Sequence, residues 1–104
     1  MAIQFTDENV NDYISSSRPT LVDCWATWCG PCMRMSPIID EVAAEFGDKA
    51  AVGKYNVDEE SNLSQQHRIM SIPTLLFFKD GKLVDRLVGL QSKSVLVDKL
   101  NALL

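Results

Sequence analysis

Two stretches of this chain, Thr20-Leu-Val-Asp-Cys-Trp-Ala26 and Thr74-Leu-Leu-Phe-Phe-Lys79, are apolar with almost no alternation. A strand that is apolar in both directions must be covered on both faces, so together they demand a sheet with helices on each side. The segments between them supply those helices. Ile3 to Phe5 predicts a short first strand, and Thr6 an N-cap with Asp7 and Glu8 in the first turn, where acidic groups suit the helix dipole. Phe5 is placed to staple against Val10, and the helix is expected to end at Ser15-Ser16-Ser17, before Arg18-Pro19.

A second helix is predicted from about Cys29 to Phe46. Met35, Ile38, Ile39, Val42, Ala43 and Phe46 repeat at helical spacing, Pro37 predicts a kink at the Met33 carbonyl, and Gly47 a stop. Ala51 to Val57 reads as a strand, and about Asn62 to Arg68 as a short helix. Asp80-Gly81 is a hairpin turn leading into an alternating edge strand over Lys82 to Val88. Gln91-Ser92 opens a last helix with Leu96, Leu100, Leu103 and Leu104 in one stripe. The order β-α-β-α-β-α-β-β-α describes one α/β domain over residues 1–104, long enough for one modest core.

Composition removes several functional classes. The net charge is −4 and no Lys/Arg cluster occurs, so neither nucleic acid nor an anionic membrane is an expected partner. No apolar run approaches the roughly 20 residues of a membrane span. The five glycines never fall as G-x-G, so a nucleotide fingerprint is absent and no cofactor is expected. The first residues lack the basic and apolar regions of an uncleaved secretory signal. Three cysteines, an odd number, do not resemble a secreted disulfide framework, which favours a reducing, cytoplasmic compartment.

Chemistry concentrates in Trp28-Cys29-Gly30-Pro31-Cys32. With Cys29 as N-cap, Cys32 falls at N3 and Pro31 in the first turn, where a missing N–H costs little. The helix start directs free N–H groups and partial positive charge at the Cys29 sulfur, favouring the nucleophilic thiolate. Two sulfurs three residues apart can also close a disulfide. A purely stabilising cross-link is a weaker reading, since so short a loop gains least from one. Cys24, Cys29, Cys32 and His67 add up to a Cys₃His zinc set. A structural zinc site normally shows two short ligand pairs, and only one is present, so no metal is expected.

Val22 through Cys32, Pro37, Lys54 with Asn56-Val57-Asp58, Ile72-Pro73-Thr74 and Gly89 together resemble the thioredoxin family, essentially end to end. The resemblance implies the thioredoxin fold: a five-stranded mixed sheet in order 1-3-2-4-5, flanked by four helices. It implies a cis bond before Pro73, facing the dithiol. Trp28, Ile72, Pro73 and Gly89 then form a flat apolar patch that binds substrate around Cys29, with Gly30 and Pro31 between the catalytic cysteines. Two positions depart from the family: Cys24 replaces the usual Phe, and Met33 the usual Lys.

Asp23 is a carboxylate among apolar neighbours, so burial should raise its pKa unless it is paired. Water facing this strand would make it an ordinary surface acid; the resemblance instead makes it the general base for Cys32, with Lys54 modulating it from the next strand. Cys24 reads as an inert core thiol. His67 and Asp58-Glu59-Glu60 read as solvated residues, although Asp58 matches a family position near the active site. The expected function is that of a protein-disulfide reductase: a monomer taking electrons from a partner, thioredoxin reductase by resemblance, and passing them to disulfide-containing target proteins. An oxidant or isomerase on the same fold, or a redox-dependent binding module of a larger enzyme, are the alternatives.

Overall fold

The two apolar runs become adjacent strands at the middle of one sheet. A computed structural model describes residues 2–104. The strands are β1 (Ile3–Phe5), β2 (Thr20–Trp25), β3 (Ala51–Asn56), β4 (Thr74–Lys79) and β5 (Lys82–Val88). They lie in the order β1-β3-β2-β4-β5. β3 runs parallel to both β1 and β2, whereas β4 is antiparallel to β2 and β5. The helices are α1 (Val10–Ile14), α2 (Gly30–Phe46), α3 (Asn62–Gln66) and α4 (Lys93–Asn101).

Alternation along the strands divides the core in two. Leu21, Val52, Leu75 and Phe77 point to one face and pack with Met35, Ile39, Val42 and Phe46 of α2 and Leu96 and Leu100 of α4. Val22, Cys24, Tyr55, Leu76 and Phe78 point to the other and pack with Phe5, Val10, Ile14 and Leu63. Neither central strand has a wet face, which is why β2 and β4 carry apolar side chains in both directions.

Several boundaries differ from the sequence expectation for local reasons. Thr6 Oγ1 accepts the Asn9 N–H at 3.1 Å while Asn9 Oδ1 accepts the Thr6 N–H at 2.8 Å. This reciprocal pair closes a tight turn instead of capping the helix as expected, so α1 starts only at Val10, with Asn9 as its N-cap. α2 runs on through Pro37 and stops at Gly47, whose φ of 54° suits a residue without Cβ. Leu104 lies beyond α4 and is exposed, so it falls outside the expected stripe.

The β3–α3 connection is tied to the amino-terminal segment. Asp7 Oδ1 accepts the Tyr55 hydroxyl at 2.6 Å, and its carboxylate also accepts the backbone N–H groups of Ser61, Asn62 and Leu63. Glu60 Oε1 returns the bond by accepting the Asp7 N–H at 2.7 Å. Burial disfavours the Asp7 charge, but the Tyr55 and backbone donors outweigh it and hold the carboxyl below its ordinary range. Glu60 and His67 are therefore not simply solvated: the His67 ring is half-buried, edge-on to Phe78.

Gly53 marks the closest approach in the sheet. A Cβ there would lie 2.5 Å from the Ile3 carbonyl oxygen and 2.5 Å from the Phe5 ring. Gly53→Ala must push β1 off β3, and we expect a loss of about 2–3 kcal/mol in urea unfolding. An unchanged midpoint would mean that the β1–β3 contact is looser than described.

Candidate active site

The site is assembled at one end of the sheet. β2 finishes at Trp25, and the chain turns back through the Cys29 N–H, which donates to Ala26 O at 3.2 Å. Cys29 then caps α2 in an extended conformation (φ −91°, ψ 109°), and its sulfur accepts the Cys32 N–H at 3.2 Å. That bond occupies one of the free N–H groups at the helix start and sets the helix's partial positive charge against the sulfur. Pro31, in the first turn, has no N–H to leave unsatisfied. Cys29 and Cys32 are joined as a disulfide, with Cα atoms 5.2 Å apart, inside the ordinary range for such a bond. Cys29 is 5% exposed and Cys32 1%, so an incoming group reaches Cys29 first.

Because β4 is antiparallel to β2, its first residues arrive at the same end: Thr74 pairs with Cys24. The loop before it brings the Ile72 carbonyl oxygen 3.7 Å from Cys29 Sγ, across the cis Ile72-Pro73 peptide. A disulfide sulfur has no proton to give, so this is a contact here and a bond only for the thiol. Gly89, with φ 92°, donates its N–H to Pro73 O at 2.8 Å and backs the loop. Pro73 itself is buried, so it shapes the patch from beneath while Trp28 and Ile72 present it.

Trp28 is 70% exposed yet anchored, its Nε1–H donating to Asp58 Oδ2 at 2.9 Å. Asp58 is held in turn by its own N–H on Asn56 Oδ1. Beside Trp28 opens a groove of about 490 Å³ lined by Val57, Ser64, Ile69, Met70, Ser71 and Ile72. Met70 is 91% exposed at its edge. Val57, Ile69 and Met70 were not among the expected site residues. Val57 is part of the Asn56-Val57-Asp58 run in the family resemblance, whereas Ile69 and Met70 are apolar loop residues with no periodicity to mark them as a surface.

Asp23 lies on the β2 face covered by α2, 1% exposed, and its Oδ1 has no hydrogen-bond partner. Burial pushes its carboxyl up to about 7, with the Lys54 charge working in the opposite direction. Lys54 is its register partner on β3. The Lys54 ammonium, however, donates to Ser36 Oγ at 2.6 Å and pairs with Asp40 Oδ1 at 3.1 Å. Cys24 takes no part, since it faces the opposite layer, where burial and the neighbouring Asp23 charge push its thiol up to about 12. No group of three metal-ligating side chains occurs among the described residues.

The Asp23 shift has a direction that unfolding can read. Its carboxyl ordinarily loses its proton near pH 3.8 but holds it to about pH 7 in the folded chain, so the folded state binds more protons between these values. The Asp23 charge therefore costs nothing below the lower value, destabilises progressively as pH rises, and reaches its full cost above the upper one. Asp23→Asn should be more stable than the parent at pH 8 by about 4 kcal/mol, the gap closing toward pH 4. A gap independent of pH would contradict a buried, titrating carboxyl.

Comparison with known proteins agrees with this geometry. The family model described as Thioredoxin matches residues 1–102. Thioredoxin 2 of Chlorobaculum tepidum is 45% identical over 97 residues, covering 92% of this chain and 89% of that protein. A thioredoxin of Rickettsia felis is 44% identical over 102 residues and 97% of each chain. A thioredoxin of Mycolicibacterium smegmatis is 43% identical over 102 residues, covering 95% of this chain and 91% of its own. With a closed cysteine pair at the start of α2 and relatives alike over nearly their whole length, the chain belongs to the thioredoxin family of thiol–disulfide oxidoreductases.

Proposed function

We propose that the chain reduces disulfides of target proteins through Cys29 and Cys32, and that Cys29 is the attacking sulfur. One observation carries this assignment: of the two sulfurs, that of Cys29 caps α2 and is the more exposed. In the reduced protein the Cys29 thiolate attacks one sulfur of a target disulfide, forming a mixed disulfide and expelling the other target sulfur as a thiolate, which takes up a proton. Asp23, as general base, removes the Cys32 proton. The Cys32 thiolate then attacks Cys29 Sγ, expelling the second target sulfur and leaving the Cys29–Cys32 disulfide. Two electrons pass to the target in each cycle, and they are restored by a thiol donor, a thioredoxin reductase by family resemblance.

The substrate patch is read as Trp28, Ile72, Pro73 and Gly89, extended by Ile69 and Met70. Its exposed part is apolar and shallow, which suits brief contacts with many targets, and the Ile72 backbone offers polar groups to an extended segment. Gly30 adds no side chain between the cysteines to obstruct such a segment. Lys54 modulates Asp23 through its charge. We place the protein in the cytoplasm as a monomeric, single-domain carrier over residues 1–104. Among the described residues no helix is long and apolar enough to cross a membrane.

Two experiments test this. Cys29→Ser is expected to abolish turnover of a disulfide-bonded protein, whereas Cys32→Ser should accumulate a covalent adduct with it; no adduct with Cys32→Ser would exchange or remove the assigned roles. A titration of tryptophan emission in thiol–disulfide buffers should give a potential well below the glutathione couple. A value at or above that couple would make the protein an oxidant or isomerase, and the absence of a transition a binding module.

A further inference from the structure

Asp23 and Lys54 are register partners on adjacent strands, which run about 4.8 Å apart, and both side chains belong to the face covered by α2. Nothing in the strand geometry prevents the ammonium from turning onto the carboxylate. Instead it lies on α2, donating to Ser36 Oγ at 2.6 Å and pairing with Asp40 Oδ1 at 3.1 Å. The carboxylate is left with an Oδ1 that has no partner. Ser36 and Asp40 follow Cys32 by one and two helical turns, so the helix that presents the dithiol also carries the anchors of the lysine.

The anchored position is the wetter one. Lys54 and Asp40 both line a cleft of about 350 Å³ with Gln4, Trp25, Asn56 and Glu59, and the Asp40 side chain is 45% exposed. An ammonium there keeps contact with water, whereas turning inward onto the already buried Asp23 would dehydrate it. The Lys54–Asp40 pair is itself partly exposed, so it adds a modest increment to that hydration, and its loss shifts the lysine's balance toward Asp23.

We propose that Ser36 and Asp40 are positioning residues that hold the Lys54 ammonium off Asp23 and thereby strengthen Asp23 as a base. The chemical consequence rests on the reading of Asp23 as the base for Cys32. Few other groups could perturb the carboxyl. On β4 its register partner Leu75 is apolar, and the residues α4 buries are Leu96 and Leu100. Among the described residues Lys54 supplies the one charge that acts appreciably on the carboxyl, and Cys24, next along β2, faces the other layer.

The test follows the Asp23 carboxyl carbon by NMR through a pH titration of the oxidised protein, with the pH profile of target release from the mixed disulfide measured in parallel. Asp40→Asn should lower the Asp23 midpoint by about one pH unit, since it frees an opposite charge to approach. Ser36→Ala should shift it the same way by less, and Lys54→Met should raise it. In the Lys54→Met background, Asp40→Asn should have no effect. All three side chains are at least partly exposed, and urea unfolding checks that each variant folds.

An unmoved midpoint in Asp40→Asn would overturn the proposal. So would an equal shift in the Lys54→Met background, which would mean that Asp40 acts by its own field. A midpoint that moves while the release profile stays in place would leave the positioning role intact and remove Asp23 as the base.

Discussion

The register of β2 between its two neighbours determines where everything else lies. Parallel pairing with β3 sets Trp25 beside Asn56, so the residues following each strand leave from the same end of the sheet. Antiparallel pairing with β4 sets Cys24 beside Thr74, so the residues preceding β4 arrive at that end as well. Three loops distant in sequence therefore meet there, carrying Cys29, Asp58 and Ile72. A slip of one residue would turn Asp23 to the opposite layer and move every core side chain of β2 with it. Burial on both faces makes that slip prohibitive, and the reactive site inherits its geometry from an apolar constraint.

Within that frame the local electrostatics are asymmetric. Cys29 meets the start of a 17-residue helix and a backbone N–H, whereas Asp23 meets apolar neighbours and an oxygen with no donor. A folded chain tolerates few such groups, because each sacrifices the hydration it had when unfolded. The carboxyl is thus displaced from its ordinary acidity by dryness, whereas the Cys29 sulfur sits at the positive end of a helix.

How much of this was legible beforehand depended on how local the cause is. The limits of β4 and β5 were readable because Asp80-Gly81 marks the hairpin between two strands whose side-chain pattern changes at the turn. The Cys29 cap was readable because its partner lies three residues away. The start of α1 was misplaced because Asn9 answers Thr6 with its own side chain, and the hydrophobic pattern does not record that exchange. The order of elements followed from periodicity, whereas the strand order in the sheet and the neighbouring of Asp23 and Lys54 followed from family resemblance. What resemblance did not convey was where the ammonium goes, since Ser36 and Asp40 look like ordinary helix-surface residues in the sequence. Asp58 on Trp28 and Met70 beside the groove are likewise products of tertiary placement, joining segments that share no local signal.

The Asp7 carboxylate has a wider meaning in this light. By collecting Tyr55 and three backbone N–H groups it fastens the chain's opening segment to the connection that carries Asp58, and through Asp58 to the Trp28 indole. The edge strand β1 is thus less a fifth rung of the sheet than the foot of a strut reaching toward the rim of the reactive surface. A circular permutant opened between Phe5 and Val10 would retain most of the sheet's pairing yet cut that strut, separating the fold's architecture from the rigidity of its working edge.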